Sequence, residues 1–186
     1  MTQRSTTPSP RTWSAGASPA RARRQDRARG VQTAMANEAY RAVFLRVHPT
    51  GKMVLSLTTE SDGREGEYAQ LVAGELGVPA LDVKVVCADT DRFGVGHGYN
   101  TAPSPGAPAA ITGATAKILD KARLLAGTAL DAAPESLAWH AGAFVADGDP
   151  PRARTIADLA MYAHGTGALP TGVEGGLDAQ TVYRDA

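Results

Sequence analysis

An α+β fold, in which an antiparallel or mixed sheet packs against helices, is predicted by three patterns in the sequence. Two runs of alternating apolar residues flank His48-Pro49-Thr50-Gly51, which is typical of a β-hairpin. The spacing of apolar residues then changes to a helical period from Glu65 onward. A second, longer helical period covers Ala109 to Ala133. Strands and helices with one apolar face each must bury those faces against one another, which gives the α+β class.

The hairpin is predicted over Ala42 to Thr58. Apolar residues recur at every second position in both of its strands, at Val43, Leu45, Val47, Met53, Leu55 and Leu57. Because successive side chains of a strand point to opposite faces, this alternation predicts that one face is more buried than the other. The same alternation at Val83, Val85 and Cys87 predicts a third strand, on which Cys87 is interpreted as a buried thiol.

The corner Ser61-Asp62-Gly63-Arg64 separates the hairpin from the first predicted helix. This helix places Glu65 and Glu67 in its first turn and ends at Gly77-Val78-Pro79, and its apolar face is formed by Tyr68, Leu71, Val72 and Leu76. Free backbone N–H groups and the helix dipole at such an N-terminus favour an anionic ligand such as a phosphate. The simpler interpretation is a strand, a turn and a helix that has Asp62 as its cap.

Residues 89–108 form a long irregular stretch rich in glycine and proline, of the kind that is usually functional or disordered. Within it, His97 is either a ligand or base or, in the simpler interpretation, a solvated side chain. The helix over Ala109 to Ala133 carries a stripe of small and aliphatic side chains that suits close packing, formed by Ile111, Thr115, Ile118, Ala122, Leu125 and Ala129.

The last part of the chain predicts shorter elements. Leu137–Trp139 and Ala143–Val145 indicate a hairpin closed at Asp147-Gly148-Asp149. Thr155 is predicted to cap a helix that runs through Ala163. A loop is then expected, and Thr181-Val182-Tyr183 is interpreted as the beginning of a strand that is not completed.

The length of 186 residues and the 43% content of hydrophobic residues fit one domain with a sizeable core. No apolar run is long enough for a membrane span. The formal net charge of zero hides a basic head, because residues 1–30 contain seven arginines and one acid, Asp26. Residues 1–35 are therefore predicted to be a disordered basic tail. Non-specific nucleic-acid binding, an organelle transit peptide and a dispensable tail remain open for it, and no specific nucleic-acid partner is expected.

Several short motifs carry a family resemblance through their order: RVHPTGK (Arg46 to Lys52), EYAQLVAGELGVP (Glu67 to Pro79), DT (Asp89-Thr90), FGVG (Phe93 to Gly96) and AKI (Ala116 to Ile118). The order continues through LAWHAGAFVADGDP, TIADLA and GLDAQTVY, so it spans Arg46 to Tyr183. In this order the chain resembles the large, molybdenum-binding subunit of aerobic carbon monoxide dehydrogenase, in the xanthine dehydrogenase and aldehyde oxidase family. Residues 36–186 would then be a partial molybdopterin-binding domain.

The resemblance implies a site for molybdopterin cytosine dinucleotide. The corner corresponds to a Gly-Gln-Gly-type turn in that family, and the later loop to a Gly-Ser-Arg-type contact. The implied cofactor-binding residues are Asp62, Gly63, Arg64, Glu65, Gly96, Asn100 and Thr101. The chain departs from the pattern in three ways: Ser61 stands in place of the first glycine, Asp62 stands in place of the glutamine, and no arginine occurs between Gly98 and Thr101. A carboxylate accepts hydrogen bonds and cannot donate one to a phosphate.

The resemblance also implies partners, namely the remaining large-subunit segments and the iron–sulfur and flavin subunits, in a cytoplasmic enzyme that oxidises a small substrate. It assigns no catalytic residue and no metal ligand to this chain, so the chain alone is expected to show little or no catalysis. Two hypotheses follow. The chain is either a fragment of a molybdenum hydroxylase large subunit that contributes to cofactor binding, or a non-catalytic remnant or interaction module that keeps the fold without the cofactor.

Overall fold

The computed structural model describes residues 41–93, 104–148, 151–165 and 169–183. All of them belong to one compact unit, Glu38–Ala186. The strands and α-helices follow in the order β1 (Arg41–Val47), β2 (Met53–Leu57), α1 (Glu65–Leu76), β3 (Val83–Val86), α2 (Thr90–Phe93), α3 (Ala107–Leu130), β4 (Ala138–His140), β5 (Ala143–Ala146), β6 (Arg152–Thr155), α4 (Ile156–His164) and β7 (Leu177–Tyr183). Within these ranges no helix combines the length and the apolar character that a membrane crossing requires.

The predicted hairpin is confirmed by β1 and β2, which pair antiparallel with Val43 opposite Leu57 and Val47 opposite Met53. The turn is closed by hydrogen bonds of 2.8 Å from the His48 N–H to the Lys52 carbonyl and from the Gly51 N–H to the His48 carbonyl. Gly51 has a φ of +83°, a conformation that side chains with a Cβ rarely adopt. The Pro/Gly turn therefore sets the register of the hairpin.

The hairpin lies in the middle of a four-stranded sheet with the order β3-β2-β1-β7. β7 pairs antiparallel with β1, and β3 pairs parallel with β2, so the sheet is mixed. The interpretation of Thr181-Val182-Tyr183 as an incomplete strand was wrong, because these residues end a seven-residue strand. The apolar alternation of this edge strand is interrupted by Thr181 on its more buried side and by Val182, an apolar residue that is 59% exposed, so the full strand was missed.

The core lies between one face of this sheet and the helices. Val43, Leu45, Val47 and Leu55 are fully buried on that face, and the predicted stripe of α3 is buried from Ile111 to Leu125. Gly113 of α3 faces the Thr181 side chain of β7. α1 is tied to α3 by the Thr112 hydroxyl, which donates to Glu75 Oε1 over 2.7 Å. The α+β prediction of a sheet with packed helices is therefore confirmed.

The second sheet is small and antiparallel, with the order β4-β5-β6. Its first turn is Ala141-Gly142, where φ is +47° and +81°, so the hairpin is not closed at Asp147-Gly148-Asp149 as predicted. Asp147 and Gly148 instead follow β5, before a third strand, β6, that the sequence did not indicate. β6 is exposed at each of its residues, so it lacks the apolar alternation by which strands are recognised.

Candidate functional site

The corner between β2 and α1 is where the sequence places it. α1 begins at Glu65, and Arg64 occupies the N-cap position without a side-chain hydrogen bond to the first turn. Gly63 has a φ of +77°, and a Cβ at this residue would meet nothing within 4 Å. The backbone of the corner is thus open, and the N-cap residue offers no acceptor to the first-turn N–H groups.

Asp62 fixes the shape of the corner. Its Oδ1 accepts a hydrogen bond of 3.0 Å from the Arg64 N–H, and its Oδ2 accepts one of 2.6 Å from the Tyr68 hydroxyl. Tyr68 is 3% exposed. Burial and, after it, the Asp62 carboxylate raise the pKa of Tyr68, because both oppose the phenolate. Asp62 is therefore not the N-cap residue, and both of its oxygens are occupied within the corner.

Arg64 supplies the positive charge at the corner. Its Nε donates to Glu67 Oε2 over 2.9 Å, and its guanidinium lies 5.4 Å from the centre of the Tyr68 ring. The hydrogen bond to Glu67 is the main cause that raises the pKa of Arg64. Because a guanidinium carries five N–H groups, the one donated to Glu67 leaves others that could meet a ligand.

Glu65 and Cys87 meet on the same side of the corner. The Ser61 hydroxyl donates to Glu65 and lowers the pKa of that carboxyl group, with a further contribution from the backbone N–H of Glu65 itself. The Cys87 thiol donates to Glu65 Oε1 over 3.6 Å. Burial, followed by the Glu65 charge, raises the pKa of Cys87 to about 11, so the thiol is protonated at neutral pH.

The prediction of a buried thiol is corrected by these contacts. Cys87 follows the end of β3, is only partly buried, and faces a carboxylate that the sequence did not place beside it.

The described residues include no group of three or more His, Cys, Asp or Glu side chains that could hold a metal ion.

Two residues distant in sequence complete the surroundings of the corner. The Ser104 and Tyr183 hydroxyls are 2.9 Å apart, and Ser104 is 2% exposed. Burial raises the pKa of Tyr183, whereas its hydrogen bond with Ser104 and the charge of Arg41 lower it in part. Tyr183 pairs with Arg41 across the sheet, next to Ala42, whose N–H donates to the Thr58 hydroxyl shortly before the corner. Ser104, at the start of the second described range, lies beside Tyr183.

The structure brings four of the predicted site residues together, Asp62, Gly63, Arg64 and Glu65. Gly96, Asn100 and Thr101, as well as His97, lie outside the described residues. Sequence reasoning missed Tyr68, Cys87, Ser104 and Tyr183 as neighbours of the corner. Only Tyr68 had a signal, because it is a polar-tipped side chain on the buried face of α1, where its hydroxyl needs a partner.

The corner has a mixed fit to an anionic cofactor. The uncapped N-terminus of α1 and the Arg64 guanidinium suit a phosphate group. Asp62 is engaged in the corner itself, and Glu65 adds a negative charge. The backbone and Arg64, rather than the carboxylates, are thus the groups that fit.

A family model described as the molybdopterin cofactor-binding domain matches residues 10–186. The large chain of carbon monoxide dehydrogenase from Hydrogenophaga pseudoflava is 36% identical over 142 residues, which are 75% of this chain and 17% of that protein. The corresponding chain from Afipia carboxidovorans is 34% identical over the same shares. The chain thus spans about a sixth of the length of these curated relatives.

Solved structures show the same likeness. A Cu,Mo-CO dehydrogenase in its carbon monoxide reduced state superposes with a TM-score of 0.67 at 32% identity, over 78% of this chain and 18% of that one. Quinoline 2-oxidoreductase from Pseudomonas putida 86 gives a TM-score of 0.64 at 29% identity, over 79% and 19%. The resemblance found in the sequence is therefore confirmed, and the matched region is the cofactor-binding part of such large subunits.

Proposed function

Because the chain belongs to the molybdopterin cofactor-binding domain family, we propose that it supplies one wall of the cofactor site of a molybdenum hydroxylase large subunit. The observation that carries the proposal is the family match over the whole folded unit, with the uncapped N-terminus of α1 at the corner. Its activity would be the oxidation of a small substrate, as in the xanthine dehydrogenase and aldehyde oxidase family. When bound, the cofactor would supply the redox-active molybdenum.

Backbone groups and Arg64 would hold the cofactor in this proposal. First-turn N–H groups and a guanidinium are both suited to a pyrophosphate, which supports the cytosine dinucleotide form of the cofactor. Asp62 would act indirectly, because its bonds to the Arg64 N–H and the Tyr68 hydroxyl set the direction of the corner. The proposed binding residues are thus Gly63, Arg64 and the N-terminus of α1 at Glu65.

The remaining parts of the site would come from other polypeptide segments. The relatives are about six times longer than the matched region, since it covers 17% of them. We therefore expect the remaining large-subunit segments, together with iron–sulfur and flavin subunits, as partners in the cytoplasm. Among the described residues no set of metal-binding side chains occurs, so the role proposed for this chain is to bind and orient the cofactor.

The test is to purify the chain with the proteins encoded by neighbouring reading frames and to measure molybdenum and pterin per chain. We expect both in the wild-type complex and a loss of about tenfold in Arg64→Ala, because a charge-assisted contact to the anion is removed. Arg152→Ala is the matched control, since it removes the same charge from an exposed residue of β6.

Two results would contradict the proposal. A complete complex without molybdenum or pterin would favour the second hypothesis, an interaction module that keeps the fold without the cofactor. Equal cofactor content in the Arg64→Ala and Arg152→Ala complexes would show that the corner does not take part in cofactor binding.

A further inference from the structure

An open cleft of about 500 Å³ has none of the corner residues, Ser61 to Glu65, in its described lining. Val43, Leu45 and Val47 of β1 point to the buried face, so the alternation of a strand sends Phe44 and Arg46 to the other one. Both residues line the cleft. The corner neighbours the Arg41 end of β1, through Tyr183 paired with Arg41, whereas Arg46 pairs with Asp178 toward the other end.

Basic side chains from three separate elements converge on this cleft. Arg46 comes from β1, Arg92 from α2 and His164 from the last turn of α4, and all three are exposed. Among the described residues of the lining, Asp178 of β7 is the one carboxylate. Two guanidinium groups against one carboxylate favour an anion over a cation as the occupant.

Arg92 is held in place by an aromatic ring. Its guanidinium lies 4.0 Å from the centre of the Phe44 ring, close enough for stacking. Stacking uses the flat face of the guanidinium and leaves the N–H groups at its edge free to donate. Phe44 is 9% exposed, so this platform is itself packed in place. Arg92 is therefore oriented before any ligand arrives, which reduces the entropy lost on binding.

Gly176, which lines the cleft, has no side chain to fill the space beside His164. Gly176 is buried and has a φ of +80°; a Cβ there would come within 3.1 Å of Asp178 Oδ1 and 3.8 Å of His164 Nε2. Glycine thus keeps the floor open between these two side chains. The volume of the cleft lies within the range of about 300–1,000 Å³ that small-molecule sites occupy.

We propose that this cleft binds a phosphoryl group, free or as a monoester, through the Arg46 and Arg92 guanidinium groups with His164 at its edge. Guanidinium forks match the oxygen pairs of a phosphate, and two of them on one face can engage different oxygen pairs. Asp178 opposes the anion and sets an upper limit on affinity. This proposal goes beyond the cofactor site, because within the described part of the chain the cleft shares no lining residue with the corner.

The experiment titrates the full chain, without molybdopterin, with inorganic phosphate and separately with cytidine monophosphate, and follows binding by phosphorus NMR and calorimetry. We expect a dissociation constant of about 1 mM or tighter for at least one of the two. Binding of both would assign the site to the phosphoryl group itself, and binding of the monoester alone would assign it to phosphate esters.

Three variants test the assignment. Arg46→Ala is expected to weaken binding at least about tenfold, because a charge-assisted contact is lost. Asp178→Asn is expected to tighten binding about threefold, because the opposing charge is removed. Arg152→Ala, the control with the same loss of charge, is expected to change the affinity less than about twofold. Since Arg46 and Asp178 are exposed, the variants are expected to fold.

Arg64→Ala separates this proposal from the cofactor site, because it alters the corner and should leave phosphate affinity unchanged. The proposal is overturned if neither probe binds at millimolar concentration, or if Arg152→Ala weakens binding as much as Arg46→Ala does. It is equally overturned if Arg64→Ala abolishes binding, since the phosphate would then occupy the N-terminus of α1.

Discussion

The bond between Tyr68 and Asp62 is the contact that gives the corner a fixed shape. The donor is 3% exposed, and the acceptor also receives the Arg64 N–H, so one carboxylate joins the turn to the second turn of α1. A glutamine in place of Asp62 would offer one oxygen where the carboxylate offers two. The departure from the family pattern at this residue is thus accompanied by a local partner that makes use of it.

We predict that Tyr68→Phe lowers the free energy of unfolding by about 2 kcal/mol, because a buried hydrogen bond to a charged group is lost while the ring stays in place. The measurement is urea denaturation at pH 7. In Asp62→Asn, the additional effect of Tyr68→Phe should be smaller, since the partner charge is already gone.

Asp91→Asn provides the control, because Asp91 is exposed on α2. An unchanged midpoint in Tyr68→Phe would show that the bond adds nothing to stability. Strictly additive losses in the double variant would show that the two side chains do not interact in the folded state.

α4 begins with a reciprocal pair of hydrogen bonds between Thr155 and Asp158. The Thr155 hydroxyl accepts from the Asp158 N–H over 3.2 Å, and Asp158 Oδ2 accepts from the Thr155 N–H over 3.0 Å. These bonds satisfy N–H groups that a helix start otherwise leaves unpaired. The Thr155 side chain and, after it, its backbone N–H lower the pKa of Asp158, because both favour the carboxylate.

We predict that Thr155→Ala costs about 1 kcal/mol of stability at pH 7. The lowered pKa of Asp158 makes the stabilising contribution of its carboxylate present above the pKa of the unfolded chain, about 3.9. This contribution is lost as the pH falls through the folded-state pKa. Denaturation from pH 7 to pH 2 should therefore show a shallower acid loss in Asp158→Asn than in the wild type.

Asp147→Asn, at an exposed residue after β5, is the control for this pH series. An acid loss in Asp158→Asn as steep as that of the wild type would contradict the role of the capping pair. Other carboxyl groups, including Glu65, supply the acid sensitivity that remains.

The elements that could be predicted from the sequence are those whose signals are local. The Pro/Gly turn after β1, the glycine that ends α1 and the cap at Thr155 all lie where the sequence indicated them. β6 could not be found, because its residues are all exposed and show no periodicity. The parallel pairing of β3 with β2 also escaped, since α1 lies between them in the chain and the sequence does not specify which strand comes to lie beside which.

In the candidate site, too, the features with local signals could be predicted and those set by long-range contacts could not. Asp62 to Glu65 could be placed at the start of a helix, because a change of period and a glycine mark that position. The meeting of Cys87 with Glu65, and of Ser104 with Tyr183, depends on contacts across 22 and 79 residues. Contacts at such separations are set by packing of the whole sheet, so no local pattern carries them.

The small sheet contacts the end of α1 through a close approach of two glycines. A Cβ on Gly77, at the end of α1, would lie 2.4 Å from the Gly142 Cα, and a Cβ on Gly142 would lie 2.5 Å from the Gly77 oxygen. Both glycines have positive φ. The turn between β4 and β5 therefore rests directly on the backbone that ends α1.

We predict that Gly142→Ala destabilises the molecule by about 3 kcal/mol, from a left-handed conformation and from overpacking together. Gly172→Ala should cost only about 1 kcal/mol, because Gly172 shares the positive φ but a Cβ there would meet nothing within 4 Å. Thermal and urea unfolding of the two variants give the comparison.

Equal losses in the two variants would show that the approach of Gly142 to Gly77 relaxes at little cost.

The assignment of residues 1–35 as a tail stays a prediction, and the family match, which begins at residue 10, includes part of that segment.

The position of β1 between β2 and β7 has a consequence for biosynthesis. One side of β1 is covered by its hairpin neighbour almost as soon as it leaves the ribosome, but the other side pairs with Leu177–Tyr183, which is translated after all the other described strands. Until then, the nascent chain presents an unpaired strand edge beside an apolar surface, a state prone to self-association. Slow translation of the intervening helices would prolong this exposure. A chaperone that binds extended apolar segments would reduce self-association during that time.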